Sequence, residues 1–67
     1  MELQPYQQRV VDECDDLEDK ANKLQDFILS AKFSSVPEDE QGRLVLQRNL
    51  MDAYVAVLKQ RIAAFGG

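Results

Sequence analysis

"FSSVPEDE", residues 33–40, is the one strong interruption in an otherwise continuous helical pattern, and it decides the fold. Ser35 followed three residues later by Glu38 has the form of a capping box, in which two side chains satisfy each other's backbone N–H groups. Pro37 suits a first helical turn, where its missing N–H would have had no partner. Acids at 38, 39 and 40 favour the positive end of a helix dipole. The stretch predicts a turn at 33–35 and a second helix starting at about Val36.

The same punctuation recurs on both sides. Pro5 marks an earlier helix start, with Gln4 a mediocre cap, so helix 1 is expected over about residues 5–32. Gly66 and Gly67 fit the end of helix 2 at about residue 65, since the residue past a C-cap commonly needs positive φ. Three Gly and two Pro in 67 residues leave few turns, which favours long helices over strands. The expected fold is all-α: a single helical-hairpin domain over residues 1–67, its two helices antiparallel.

Apolar periodicity distinguishes the helices. In helix 1 the apolar positions Val10, Cys14, Leu17, Ala21, Leu24, Ile28 and Ala31 alternate steps of four and three, a coiled-coil-like seam. In helix 2, Leu44, Met51, Tyr54, Leu58 and Phe65 form one stripe. Leu46, Leu50, Ala53, Val57 and Ala64 form a second beside it, and Val55 and Ile62 widen the whole. One partner helix cannot cover so broad an apolar surface. Two helices of roughly 42 Å, at about 1.5 Å per residue, enclose almost no interior. A chain of 67 residues is also near the size where one core is marginal. A homo-oligomeric bundle is expected, packed through Leu46, Leu50, Tyr54, Val57 and Ile62.

Charge is divided between the helices. Six acids lie within residues 12–19, between the seam positions, and read as a solvated helix face. Residues 43–67 carry Arg43, Arg48, Lys59 and Arg61 against Asp52 alone. An antiparallel hairpin sets the acidic half of one helix beside the basic half of the other, and such pairs select orientation even where each is weak. A net charge of −4 argues against nucleic-acid polymers and anionic membranes as partners. With no signal peptide and no apolar run of about 18 residues, the chain reads as soluble and cytoplasmic.

Catalysis has little to work with. There is no histidine, and the single cysteine, Cys14, falls on the seam as a small core residue. Neither a Ser/His or Cys/His pair nor a glycine-rich phosphate loop is present. The acidic block lacks the spacing of a calcium loop, and no Glu-x-x-His pattern suits a di-metal bundle. A binding protein without catalytic residues, metal or cofactor is expected. Its best candidate site is Tyr6 and Arg9, on one face of the first turns of helix 1. An aromatic ring and a guanidinium at a helix N-terminus suit a nucleobase and a phosphate. Lys20 and Lys23 lie further along and reach a neighbour's Tyr6 in an oligomer. The plainer reading packs Tyr6 against Ile62 and Phe65 as an end-plug and leaves both lysines as surface charges.

"YQQRV" near the N-terminus, "LEDKANKLQDFI" from Leu17 and "LVLQRNLMDAYVAVLKQRI" over residues 44–62 resemble a class of small phage proteins related to a crAss-like phage gene product. More distantly, the layout is similar to the phage anti-CBASS sponges, small helical proteins that oligomerise and sequester the cyclic oligonucleotides of bacterial immunity. That resemblance implies a base-stacking role for Tyr6, a phosphate-binding role for Lys20 with Lys23 second, and a place for Arg43, Arg48 and Arg61 among the arginines of helix 2. This chain is shorter and carries its acidic block between Tyr6 and Lys20. The implied function is an anti-defence sponge for a small nucleotide signal, a cyclic oligonucleotide or a cyclic ADP-ribose. The competing function is an acidic helical oligomer that inhibits a host protein by direct binding or by mimicking nucleic acid. Mimicry requires Asp12, Glu13, Asp15, Asp16 and Asp19 to be exposed and unpaired.

Overall fold

A computed structural model describes residues 2–65, which form two antiparallel α-helices joined by a short 3-10 turn. Helix α1 spans Pro5–Ile28, the turn Ala31–Ser35 and helix α2 Glu38–Phe65, with no strand among the described residues. The expectation for Gly66 and Gly67 lies outside these residues. The hairpin is a rod of 48 × 14 × 14 Å.

At the start of α1, the Gln4 N–H donates to Gln7 Oε1 at 2.8 Å, and Pro5 opens the helix as expected. The end of α1 departs from expectation, at Ile28 instead of residue 32. Ser30 is the cause. Its hydroxyl and its N–H both donate to the Phe27 carbonyl, at 2.6 and 3.0 Å, which draws the last turn into the tighter i to i−3 pattern. Phe33 then folds back edge-on to Phe27, ring centroids 6.0 Å apart, so the turn carries its own apolar contact.

Helix α2 starts at Glu38, later than Val36, and the capping box does not form. The Ser35 hydroxyl donates backwards to the Lys32 carbonyl at 2.7 Å, and Ser35 stays in the 3-10 turn, three residues ahead of the first residue of α2. Gln41 ties helix to turn instead. Its N–H donates to the Pro37 carbonyl at 2.9 Å, and its side-chain amide donates to the carbonyls of Phe33 and Val36 at 3.0 and 2.8 Å. Glu38, Asp39 and Glu40 fill the first turn as expected, and Arg43 pairs with Glu40 at 2.6 Å and Asp39 at 3.5 Å.

Val10 and Cys14 of α1 meet Val55 and Leu58 of α2 in the buried core, with Leu17, Ile62 and Phe65 packed against it. Ala21 is buried further along, while Ala31 has left the helix and is exposed. Leu58, at 0% exposure, is the centre of this core. Burying such a side chain contributes about 1.5–3 kcal/mol, so a core this short leaves little margin. Polar contacts set the pairing: Lys59 meets Glu18 at 3.4 Å, and Arg48 Nη1 donates to Gln25 Oε1 at 2.7 Å. Tyr6 closes the open end, edge-on to Phe65 with centroids 6.3 Å apart.

Candidate functional site

Two grooves run along the rod and meet at Tyr54. The first is lined by Arg9, Asp12, Glu13, Asp16, Leu17, Lys20 and Tyr54, with a volume of about 530 Å³. Steps of four, three and four from Arg9 through Glu13 and Asp16 to Lys20 place these charges on one face of α1, because residues three and four apart share a helix face. The second groove, about 310 Å³, is largely apolar and is lined by Arg43, Leu46, Gln47, Leu50, Met51 and Tyr54. It belongs to an uncovered face of α2 on which Leu46, Leu50 and Val57 remain 57, 62 and 51% exposed.

The Tyr54 hydroxyl donates to the Glu13 carboxylate across the helix boundary. That bond, then burial, then the Glu13 charge raise the phenol's pKa, with Arg61 opposing, so the ring stays neutral and a donor at ordinary pH. Cys14 is also raised, chiefly by burial and then by its hydrogen bond to Glu18 at 3.6 Å. A buried thiol held protonated is a poor nucleophile.

Arg9 and Lys20 thus come together in one groove, as two of the four expected ligand-binding residues. Tyr6 is outside that lining and packs on Phe65, although its ring keeps 56% exposure. Lys23 turns to Asp19, 3.2 Å away on the solvent side. Of the expected contact residues, Leu46, Leu50, Tyr54 and Val57 are exposed. Ile62 instead packs against the hairpin's own core, since it follows Val55 by seven residues and so returns to the inner face. The feature that sequence reasoning missed is Tyr54 as a wall of the charged groove. Its place at the edge between the two stripes of α2 was the available signal. Among the described residues no group of three His, Cys, Asp or Glu is arranged to hold a metal ion, and no helix is long and apolar enough to cross a membrane.

The described residues thus form a small helical hairpin with a charged groove beside a bare apolar face. Residues 4–64 match the Sequestin family, and the chain belongs to it. It is 45% identical over 60 residues to the uncharacterized 7.5 kDa protein in the denB-rIIB intergenic region of Enterobacteria phage T4, a match covering 90% of this chain and 94% of that protein. No solved structure matches.

Proposed function

We propose that this protein is a phage anti-defence sponge, which binds a nucleotide-derived immune signal in the host cytoplasm and holds it without cleaving it. The observation that carries the reading is the meeting of Arg9 and Lys20 in one groove large enough for a nucleotide, with a neutral tyrosine on its wall. The family's name denotes sequestration, and the T4 relative supports a phage origin. In this reading Arg9 and Lys20 meet phosphates, and the exposed ring of Tyr6 stacks a base one turn before Arg9. Lys23 joins across a protomer boundary once its exposed pair with Asp19 opens. A homo-oligomer formed on the bare face of α2 completes the pocket.

The mimicry alternative is weakened by the partners of the acidic block. Asp12 accepts from the Gln8 amide at 3.0 Å, Glu13 from Tyr54, and Asp19 pairs with Lys23 at 3.2 Å. A surface imitating phosphates needs those carboxylates free.

Calorimetric titration of cyclic di- and trinucleotides and cyclic ADP-ribose isomers tests the reading. Stacking is worth about 1–3 kcal/mol per base and a charge-assisted contact about 1.5–3, so Tyr6→Ala and Lys20→Ala should each weaken binding roughly ten- to a hundredfold. Bound signal should be recovered intact after the protein is heated. If no compound binds below about 10 μM, where Kd corresponds to roughly −7 kcal/mol, the sponge reading fails and direct inhibition of a host protein replaces it.

A further inference from the structure

The bare face of α2 is palindromic in its spacing. Leu46, Leu50, Ala53 and Val57 are separated by 4, 3 and 4 residues, so reversing the helix about a point between residues 51 and 52 lays the pattern on itself. Among the described residues no second extended stripe is exposed. Leu3, Tyr6, Phe27 and Leu29 lie toward the rod's ends, and Val45 stands alone. A copy that covers this face must therefore offer the same face, and such contacts are two-fold.

Charge chooses between the two ways of pairing. At about 100° per residue, Asp39 near the start of α2 and Arg61 near its end fall on the side of the bare face, whereas Lys59 turns inward to Glu18. Parallel pairing sets like charges together at each end. Antiparallel pairing sets the acidic end of one copy against the basic end of the other and opposes the helix dipoles. The reversed register also faces Leu50 with Ala53 of the second copy, large against small at the centre of the contact.

We propose that the protein pairs with a second copy through an antiparallel, two-fold α2–α2 contact centred between residues 51 and 52, and that this pairing joins two open grooves into one trough. The pairing specifies the self-association named above and does not depend on the nucleotide. At about 100° per residue, the bare face and the inner face of Val55 and Leu58 lie roughly 140° apart around α2, with Tyr54 between them. Tyr54 accordingly lines both grooves. The two-fold axis stands perpendicular to the paired helices, so both Tyr54 rings emerge on the same side, about 7.5 Å apart along the helix direction at 1.5 Å per residue. The two α1 helices, each bearing Arg9 and Lys20, form the walls. A trough floored by two tyrosines, its walls carrying Arg9 and Lys20 with Asp12, Glu13 and Asp16 between them, fits a ligand that has two planar groups and both anionic links and hydroxyl or amine donors. Each groove of a lone hairpin offers only half of that.

Cross-linking tests the register directly. In a Cys14→Ala background, chains carrying Leu46→Cys and Val57→Cys are mixed and oxidised. The disulfide between unlike chains should dominate both homodisulfides. Predominant homodisulfides mean parallel pairing and overturn the proposal, as does the absence of any interchain disulfide. A second measurement leaves the bare face intact: a spin label at Lys32→Cys in the same background, read by pulsed dipolar spectroscopy. The rod is 48 Å long, and antiparallel pairing puts the turns at opposite ends, so a separation of that order is expected. A separation under about half that length indicates parallel pairing, and a missing dipolar signal indicates monomers; either overturns it. The long separation with no nucleotide bound sinks only the ligand reading.

Discussion

Leu58 and Leu50 are the same residue type on the same helix, eight positions apart, yet one is fully buried and the other 62% exposed. The inner face of α2 has a partner within the chain, and the outer face of nearly equal hydrophobicity has none. Burial in a hairpin is thus decided by the number of neighbours available, and apolar content alone does not decide it. Helix α1 makes the same point from the other side. Its seam is narrow enough for one partner to cover, and Val10, Cys14 and Ala21 are all buried.

Substitutions can break this contrast, beginning with the inner face. Leu58→Ala should cost about 2–5 kcal/mol, from lost burial plus the cavity left behind. In a chain this short that should abolish or sharply lower the cooperative urea transition seen by circular dichroism. A loss below about 1 kcal/mol would mean that Leu58 is not the centre of the core. On the outer face, Leu50→Glu or Val57→Glu should leave the hairpin helical but dissociate the assembly, since taking an unpaired charge into an apolar contact costs roughly several kcal/mol. Sedimentation should show a smaller species for these variants than for wild type. A wild type already monomeric at micromolar concentration removes the outer face from any role in assembly.

A smaller effect is expected where the faces meet. The Tyr54 pKa is raised, mainly by the bond to Glu13, so the folded state holds that proton more tightly than the unfolded chain does. The resulting stabilisation is fully present below the unfolded tyrosine pKa of about 10 and is lost as pH rises through the folded value. Tyr54→Phe should therefore be less stable than wild type at neutral pH, with the gap closing in alkali. A gap that stays constant up to pH 11 would place the bond outside the folding equilibrium. Smallest of all, Lys59→Ala removes an exposed pair with Glu18 and should cost no more than about 1 kcal/mol, less in high salt.

The hairpin was legible in the sequence because periodicity and punctuation agree. The seam from Val10 to Ile28 and the acidic first turn of α2 are where the spacing puts them. The helix ends were not legible, since serines at 30 and 35 chose backward bonds to nearby carbonyls, a competition that local pattern leaves undecided. Of the candidate site, Arg9 and Lys20 could be picked as basic residues of α1, and their common groove depends on how α1 lies on α2. Lys23, only three residues from Lys20, went to a different neighbour. The Tyr54–Glu13 contact joins residues 41 positions apart and needs the tertiary pairing before it can be seen.

The turn has a consequence for the order in which the chain assembles. Phe27 and Phe33 are six residues apart in sequence, whereas Tyr6 and Phe65 are separated by 59. Closing the short loop forfeits less chain entropy, so the turn pair forms first and each later contact closes only a small additional loop. The expected order of folding is therefore a zipper from the aromatic turn toward the open end. The Tyr6–Phe65 contact is the last to close and the first to fray, and Arg9, one turn inward from Tyr6, gains its final position only when the zipper is nearly complete.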